Sequence, residues 1–256
     1  MRRNRTRGSL STGSAGSPLM ERPLVAASLA GVAGLLNAWT FQHAGTFATV
    51  QSGNIVSAGY FAAGGDWERV GAALSSIVGF AVGAAVCAIA VGLLSRRNRP
   101  YSLWILGSEA VVVMLLIPLS QTGPASWVAV AVSAVAGAQG SAFHRDRGML
   151  YGNTAVTFVL QSTAGLLGRA LISGRAEGEQ HLRPAGVYAL VLAAFAGGGA
   201  AGFLAGRLWS SGPLMTAGAI LAALAVTTIV YPRGAVDPDQ RPHADPSISD
   251  PTMHSG

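Results

Sequence analysis

Few side chains in this sequence could do chemistry, and they fall in two short stretches plus one isolated acid. Gln51-Ser52-Gly53-Asn54 offers a hydroxyl, an unhindered backbone and amides in consecutive positions, inside the otherwise apolar run 46–63. Asn153, Thr154 and Thr157 offer a similar set in the second half of the chain. Ser and Asn cap helix N-termini well, and Gly lets the chain turn with positive φ. A half-helix beginning at either stretch would aim its first N–H groups, with their partial positive charge, at whatever lies before it. Two such N-termini facing one cavity suit an anion or a polar neutral solute. If the two stretches have no such cavity, the same groups simply cap and cross-link helices.

Glu109 is the only ionisable residue inside a clear apolar segment. An acid at bilayer depth is costly and by default marks a pathway or a proton relay, unless it pairs near its helix start with Arg96, Arg97 or Arg99. Asn37 and Gln139 stand just ahead of the two polar stretches and read as helix-to-helix hydrogen bonds or as support for a site there. His43 and His144 come after them at segment ends, where interfacial packing accounts for them. Cys87, the single cysteine, cannot form an internal disulfide and reads as a small packed hydrophobe. Motifs for metal hydrolysis, phosphate cradling or an activated serine are missing from the sequence, so neither an enzyme nor a cofactor or metal site is expected.

These side chains need apolar elements to hold them. The 256 residues are 50% hydrophobic and only 11% charged, which fits a polytopic membrane protein rather than a soluble domain. All 17 basic residues are Arg, giving a net charge of +6. They lie between apolar runs rather than in one patch, so nucleic acid is not expected as a partner. Eight apolar segments, roughly 24–41, 46–63, 70–95, 103–119, 126–143, 154–172, 185–206 and 213–231, approach the ~20 residues a helix needs to cross the bilayer. Residues 1–22 and 232–256 read as disordered tails flanking one membrane domain, 23–231.

Arg parity decides how many segments cross. If all eight span and the N-terminus is inside, Arg96, Arg97, Arg99, Arg145, Arg147 and Arg207 fall outside. If 46–63 and 154–172 instead dip in and return, only Arg69 and Arg207 do, which satisfies the positive-inside rule far better. Each half, 24–119 and 126–231, then reads span, re-entrant element, span, span. Val32-Ala33-Gly34 and Val135-Ala136-Gly137 begin matching stretches. With three spans per half, the second half enters from the opposite face, as in transporters with discontinuous helices at the midplane.

Gly34-Leu35-Leu36-Asn37-Ala38, Phe41, Gly45, Phe47 and Ser52-Gly53-Asn54 together resemble the first half of the YoaK family of small bacterial inner-membrane proteins, a domain of unknown function. That family's pattern is Gly-x-x-Asp-Ala, an aromatic, then Thr-Gly-Asn. Gly137-Ala138-Gln139 with Thr157 resembles its second-half pattern of Gly-Met-Gln-Asn and Thr-Gly-Thr. Asn37 replaces the family's Asp, removing a charge there; Ser52 replaces Thr, Gly140 replaces Asn and Phe158 replaces Gly. The resemblance spans residues 24–231 and implies architecture and location but no activity.

The expectation is an all-α inner-membrane protein of six spanning helices plus two re-entrant or broken helices in an inverted-topology repeat, with both termini cytoplasmic. Its expected role is as a transporter or channel for a small polar or anionic solute, bound by Ser52, Gly53, Asn54, Asn153, Thr154 and Thr157, with Asn37 and Gln139 behind them and Glu109 coupling protons. The alternative is a non-transporting scaffold or regulatory protein whose polar residues only lock helices. Membrane lipid is the expected surround, and the small-residue helix faces suit homo-oligomers.

Overall fold

A computed structural model describes residues 23–97, 101–143, 156–172 and 175–230. Among them the chain forms eight α-helices and no strand: α1 (Pro23–Ala44), α2 (Gln51–Gly64), α3 (Trp67–Arg96), α4 (Ser102–Thr122), α5 (Ala125–Ala142), α6 (Val156–Ile172), α7 (Arg175–Leu208) and α8 (Gly212–Val230). Six of them, α1, α3, α4, α5, α7 and α8, are long and apolar enough to cross a membrane. The chain is therefore a polytopic all-α membrane protein. With 14 residues α2 spans about 21 Å at 1.5 Å per residue, and with 17 residues α6 spans about 26 Å. Both fall short of the ~30 Å hydrocarbon thickness.

Side-chain contacts fix how the helices run. Near the end of α1 the Trp39 indole donates to the Ser210 carbonyl at 3.0 Å, just before α8 begins. Near the end of α4 the Gln121 amide donates to the Ser211 hydroxyl at 3.3 Å. Farther along the same pair, Gly218 of α8 lies against Met114 of α4. So α8 is antiparallel to both α1 and α4. Contacts of Gly31 with Ala194, Gly202 with Ala38 and Gly206 with Gln42 make α1 and α7 parallel. Contacts of Gly79 with Val130 and Gly83 with Ala134 do the same for α3 and α5.

It follows that α1, α4 and α7 end at one face of the bundle, where α3, α5 and α8 begin. The chain leaves α1 and enters α3 at that face, so the connection that contains α2 starts and finishes on one side. It leaves α5 and enters α7 at the other face, so the connection that contains α6 makes no net crossing.

The close contacts also recur. A Cβ added at Gly34 would fall on the Phe195 carbonyl and within 2.7 Å of the Gly199 nitrogen; one added at Gly137 would fall on the Phe80 carbonyl and within 3.1 Å of the Ala84 nitrogen. Backbones this close need glycine, and small residues serve the same purpose at helix interfaces in lipid generally. The main apolar core joins α1, α4, α5 and α8, with Leu36, Trp39, Leu106, Val132, Leu214 and Leu221 among its buried members. The outer faces of α3 and α7 expose large hydrophobics, among them Val78, Val86, Ile89, Phe203 and Leu204, as a lipid-facing surface does.

The turn between α2 and α3 shows where backbone conformation, rather than space, demands glycine. Gly65 has φ 76° and caps α2 in the left-handed region, while neighbouring Gly64 is helical and meets nothing within 4 Å. Gly65→Ala should cost about 1–2 kcal/mol, the left-handed penalty for an L-residue. Gly64→Ala should be neutral or slightly stabilising in thermal unfolding of the detergent-solubilised protein.

Candidate functional site

The α1–α2 connection is where the polar residues gather. Gly45, at φ 65°, turns the chain back, and the stretch up to Val50 runs alongside α1. Asn37 grips it from both sides: its Nδ2 donates to the Thr49 hydroxyl at 2.6 Å, and its Oδ1 accepts from the Thr49 N–H at 3.0 Å. Asn37 sits seven positions before Ala44, so Thr49 is held about 10 Å of helix rise below the end of α1. From that depth α2 starts.

Asn54 does the same work from the other side. Its Oδ1 accepts the Phe47 N–H at 3.0 Å, and its Nδ2 donates to the Phe47 carbonyl at 2.6 Å, to Gln51 at 2.8 Å and to Ser76 at 3.0 Å. Ser76 on α3 also donates to the Phe47 carbonyl at 3.0 Å and shares a 2.8 Å bond with Ser133 on α5. Backbone that has left a helix inside an apolar bundle must find partners, because an unpaired N–H there is costly. Asn37 and Asn54 supply them, and all five side chains of this network that lie inside, Asn37, Thr49, Asn54, Ser76 and Ser133, are buried. Thr46 is the exception in this turn, a buried hydroxyl with no partner.

The break differs in position from the sequence reading. It falls at 45–50, ahead of Ser52-Gly53-Asn54, and those residues form the first turn of α2. Ser52 is exposed, Gly53 is half-buried against the Phe47 ring, and Asn54 alone points inward. Side-chain amides, rather than glycine flexibility, hold the irregular backbone.

Among the described residues, the matched positions around α6 are apolar. Ser133 lies four residues before Gly137, and Ala30 lies four before Gly34; Ser76 lies four before Phe80, and Val191 four before Phe195. Where Ser133 of α5, Ser76 of α3 and Asn54 of α2 come together, the matched positions Ala30 of α1, Val191 of α7 and Val159 of α6 pack in one cluster with Ala26 and Tyr188. Asn153, Thr154 and His144 lie outside the described residues. Thr157 is exposed near the start of α6. Asn54 by contrast is buried in the network at the start of α2.

Glu109 is 3% exposed, on the inner side of α4. Its Oε2 accepts from the Gln139 amide of α5 at 3.4 Å, while Oε1 is buried without a partner. Glu109 is one of the residues lining a cavity of about 350 Å³ between α3, α4 and α5, together with Cys87, Val86, Val112, Ala134 and Ala138 among others. No Arg or His is among the lining residues, so the arginine pairing that the sequence allowed is not made there. His43 instead stacks on Trp39 at 4.7 Å and approaches the Trp39 carbonyl.

Sequence reasoning missed Thr49, Ser76 and Ser133. Single hydroxyls in apolar helices are common and usually bond their own helix, as Ser108 does to the Ile105 carbonyl. Only the matched position ahead of Gly137 and Phe80 could have drawn attention to Ser133 and Ser76.

The profile of a family described as "Protein of unknown function (DUF1275)" matches residues 25–227, nearly all of the eight-helix bundle. No curated protein and no solved structure matches the chain.

Proposed function

The chain belongs to the DUF1275 family, the family that includes the YoaK proteins, and we propose that it moves a small solute across the bacterial inner membrane. The observation that carries this reading is Glu109, a buried carboxyl with one oxygen unpartnered, beside a cavity between α3, α4 and α5 of a six-span bundle. Buried acids in spans are costly and mark substrate or proton paths by default.

The run of the helices supports the same reading. With α2 dipping from one face and α6 from the other, the halves form an inverted-topology repeat, an arrangement that transporters use for alternating access. Arg orientation supports cytoplasmic termini: Arg69 and Arg207 lie at the face where α1 ends, and Arg96 and Arg97 at the other.

The weight within the reading shifts from the two helix N-termini to Glu109. Asn37 and Asn54 spend their amides on the α1–α2 turn, and a buried carboxyl offers an anion no positive charge. That saturation favours a second reading for the turn itself, a helix lock without ligand, as a scaffold protein would have.

Flux in proteoliposomes separates the two. Wild-type protein should carry at least one solute from a panel of small cations, anions and neutral polar compounds. Glu109→Gln should reduce that flux at least tenfold while the unfolding temperature changes little. A protein that carries none of the panel, or whose flux ignores Glu109→Gln, is not the transporter described here.

A further inference from the structure

We propose that the Glu109 cavity binds a small lipophilic amine in its ammonium form, entering from the bilayer between α3 and α4. The proposal rests on the transport reading above and gives it a substrate class. Three features of the cavity point to that chemistry.

The first is charge. Glu109 Oε1 is buried and unpartnered, and its only described side-chain bond is a long one from Gln139 to the other oxygen. A carboxyl isolated in low dielectric stays neutral unless a cation is present to pair with its charged form. The lining offers none, since apart from Glu109 its only titratable residue is Cys87. A mobile cation can supply the missing partner.

The second is the wall. An inorganic cation needs several oxygen ligands, and the lining beyond Glu109 is almost wholly hydrocarbon. Its one hydroxyl, Ser108, is turned to the Ile105 carbonyl at 2.9 Å. Apolar walls with a single charged anchor suit an organic cation whose carbon body they can cover. The volume of about 350 Å³ lies at the lower end of the range of small-ligand sites.

The third is the mouth. Val82 and Val86 line the cavity yet are 54% and 60% exposed, on the apolar outer face of α3. The opening therefore faces lipid rather than an aqueous end of the bundle. Glu109 is seven positions into α4, about 10 Å of rise from its start, within reach of a molecule that partitions into the outer hydrocarbon.

The test is equilibrium binding to the purified full chain in detergent, using phenethylamine, its neutral analogue phenethyl alcohol and its anionic analogue phenylacetate. The amine should bind, phenethyl alcohol at least tenfold more weakly, and phenylacetate not measurably. Glu109→Gln should weaken amine binding at least tenfold. Ala138→Leu, which fills the cavity and leaves the carboxyl in place, should do the same and serves if Glu109→Gln does not fold. Equal binding of amine and phenylacetate, no amine binding, or amine binding unchanged in both variants would overturn the proposal. Because binding is read without a membrane, it separates from transport: amine binding without flux leaves the site standing and removes the transporter, whereas flux of another solute without amine binding removes only this substrate class.

Discussion

Asn54→Ala is expected to be among the most destabilising single substitutions in this protein. The change removes the acceptor of the Phe47 N–H and the two amide hydrogens shared among the Phe47 carbonyl, Gln51 and Ser76. Ser76 still reaches the Phe47 carbonyl, so the main orphan is the Phe47 N–H, which costs about 1–3 kcal/mol when buried unsatisfied. The cavity left by the amide adds to that. The loss should appear as a lower unfolding temperature in detergent. Ser52→Ala, two residues earlier and exposed, should leave it unchanged. If both variants unfold like the wild type, the amide does not hold the turn.

Gly137→Val should have a comparable or larger effect, for a different reason. Its Cβ would land on the Phe80 carbonyl of α3, and backbone cannot swing aside as a side-chain end can. Overpacking usually costs about 1–3 kcal/mol and more where the backbone must separate. Separation of α3 from α5 would also pull Ser76 from Ser133. Gly34→Val meets the Phe195 carbonyl in the same way and should be equally damaging. Gly92→Ala, on α3 with nothing within 4 Å, should be tolerated. Size-exclusion profiles and thermal unfolding of the three variants check the set. Tolerance of valine at both positions would mean that the paired helices are not in this close contact.

How legible was this in the sequence? The helices were, because hydrophobic runs of span length have one solution in lipid. Segments 46–63 and 154–172 were distinguishable from the rest through Arg parity, and they correspond to the two short helices α2 and α6. Val32-Ala33-Gly34 and Val135-Ala136-Gly137 could be matched because a backbone-to-backbone contact tolerates only glycine, and both contacts are present. The importance of Asn37, Asn54 and Gln139 was legible from polarity alone, since a buried amide in a span has to bond something.

Other features could not be read. Whether Asn54 holds a ligand or the chain depends on where Phe47 lies, and a tertiary contact seven residues back leaves no periodic trace. Ser52-Gly53 resembles a turn because both residues are small and one is polar, whereas the chain bends at Gly45 and the amides stabilise residues 46–50 beyond it. Glu109 stood near three Arg residues in sequence, yet α4 turns its side chain inward to Gln139. The apolar counterpart of the Asn54 network, Val159 with Val191 and Ala30, looks in sequence like any other stretch of span.

The central claim is that α2 and α6 return to the side they enter from, leaving six crossings. Single cysteines at Glu68, Thr122, Ser210 and Arg97, all exposed, in a Cys87→Ala background test it with a membrane-impermeant maleimide on sealed, oriented vesicles. Six crossings predict that Glu68, Thr122 and Ser210 label from one face and Arg97 from the other. Eight crossings would instead place Ser210 with Arg97, opposite Glu68 and Thr122, and that pattern would contradict the account.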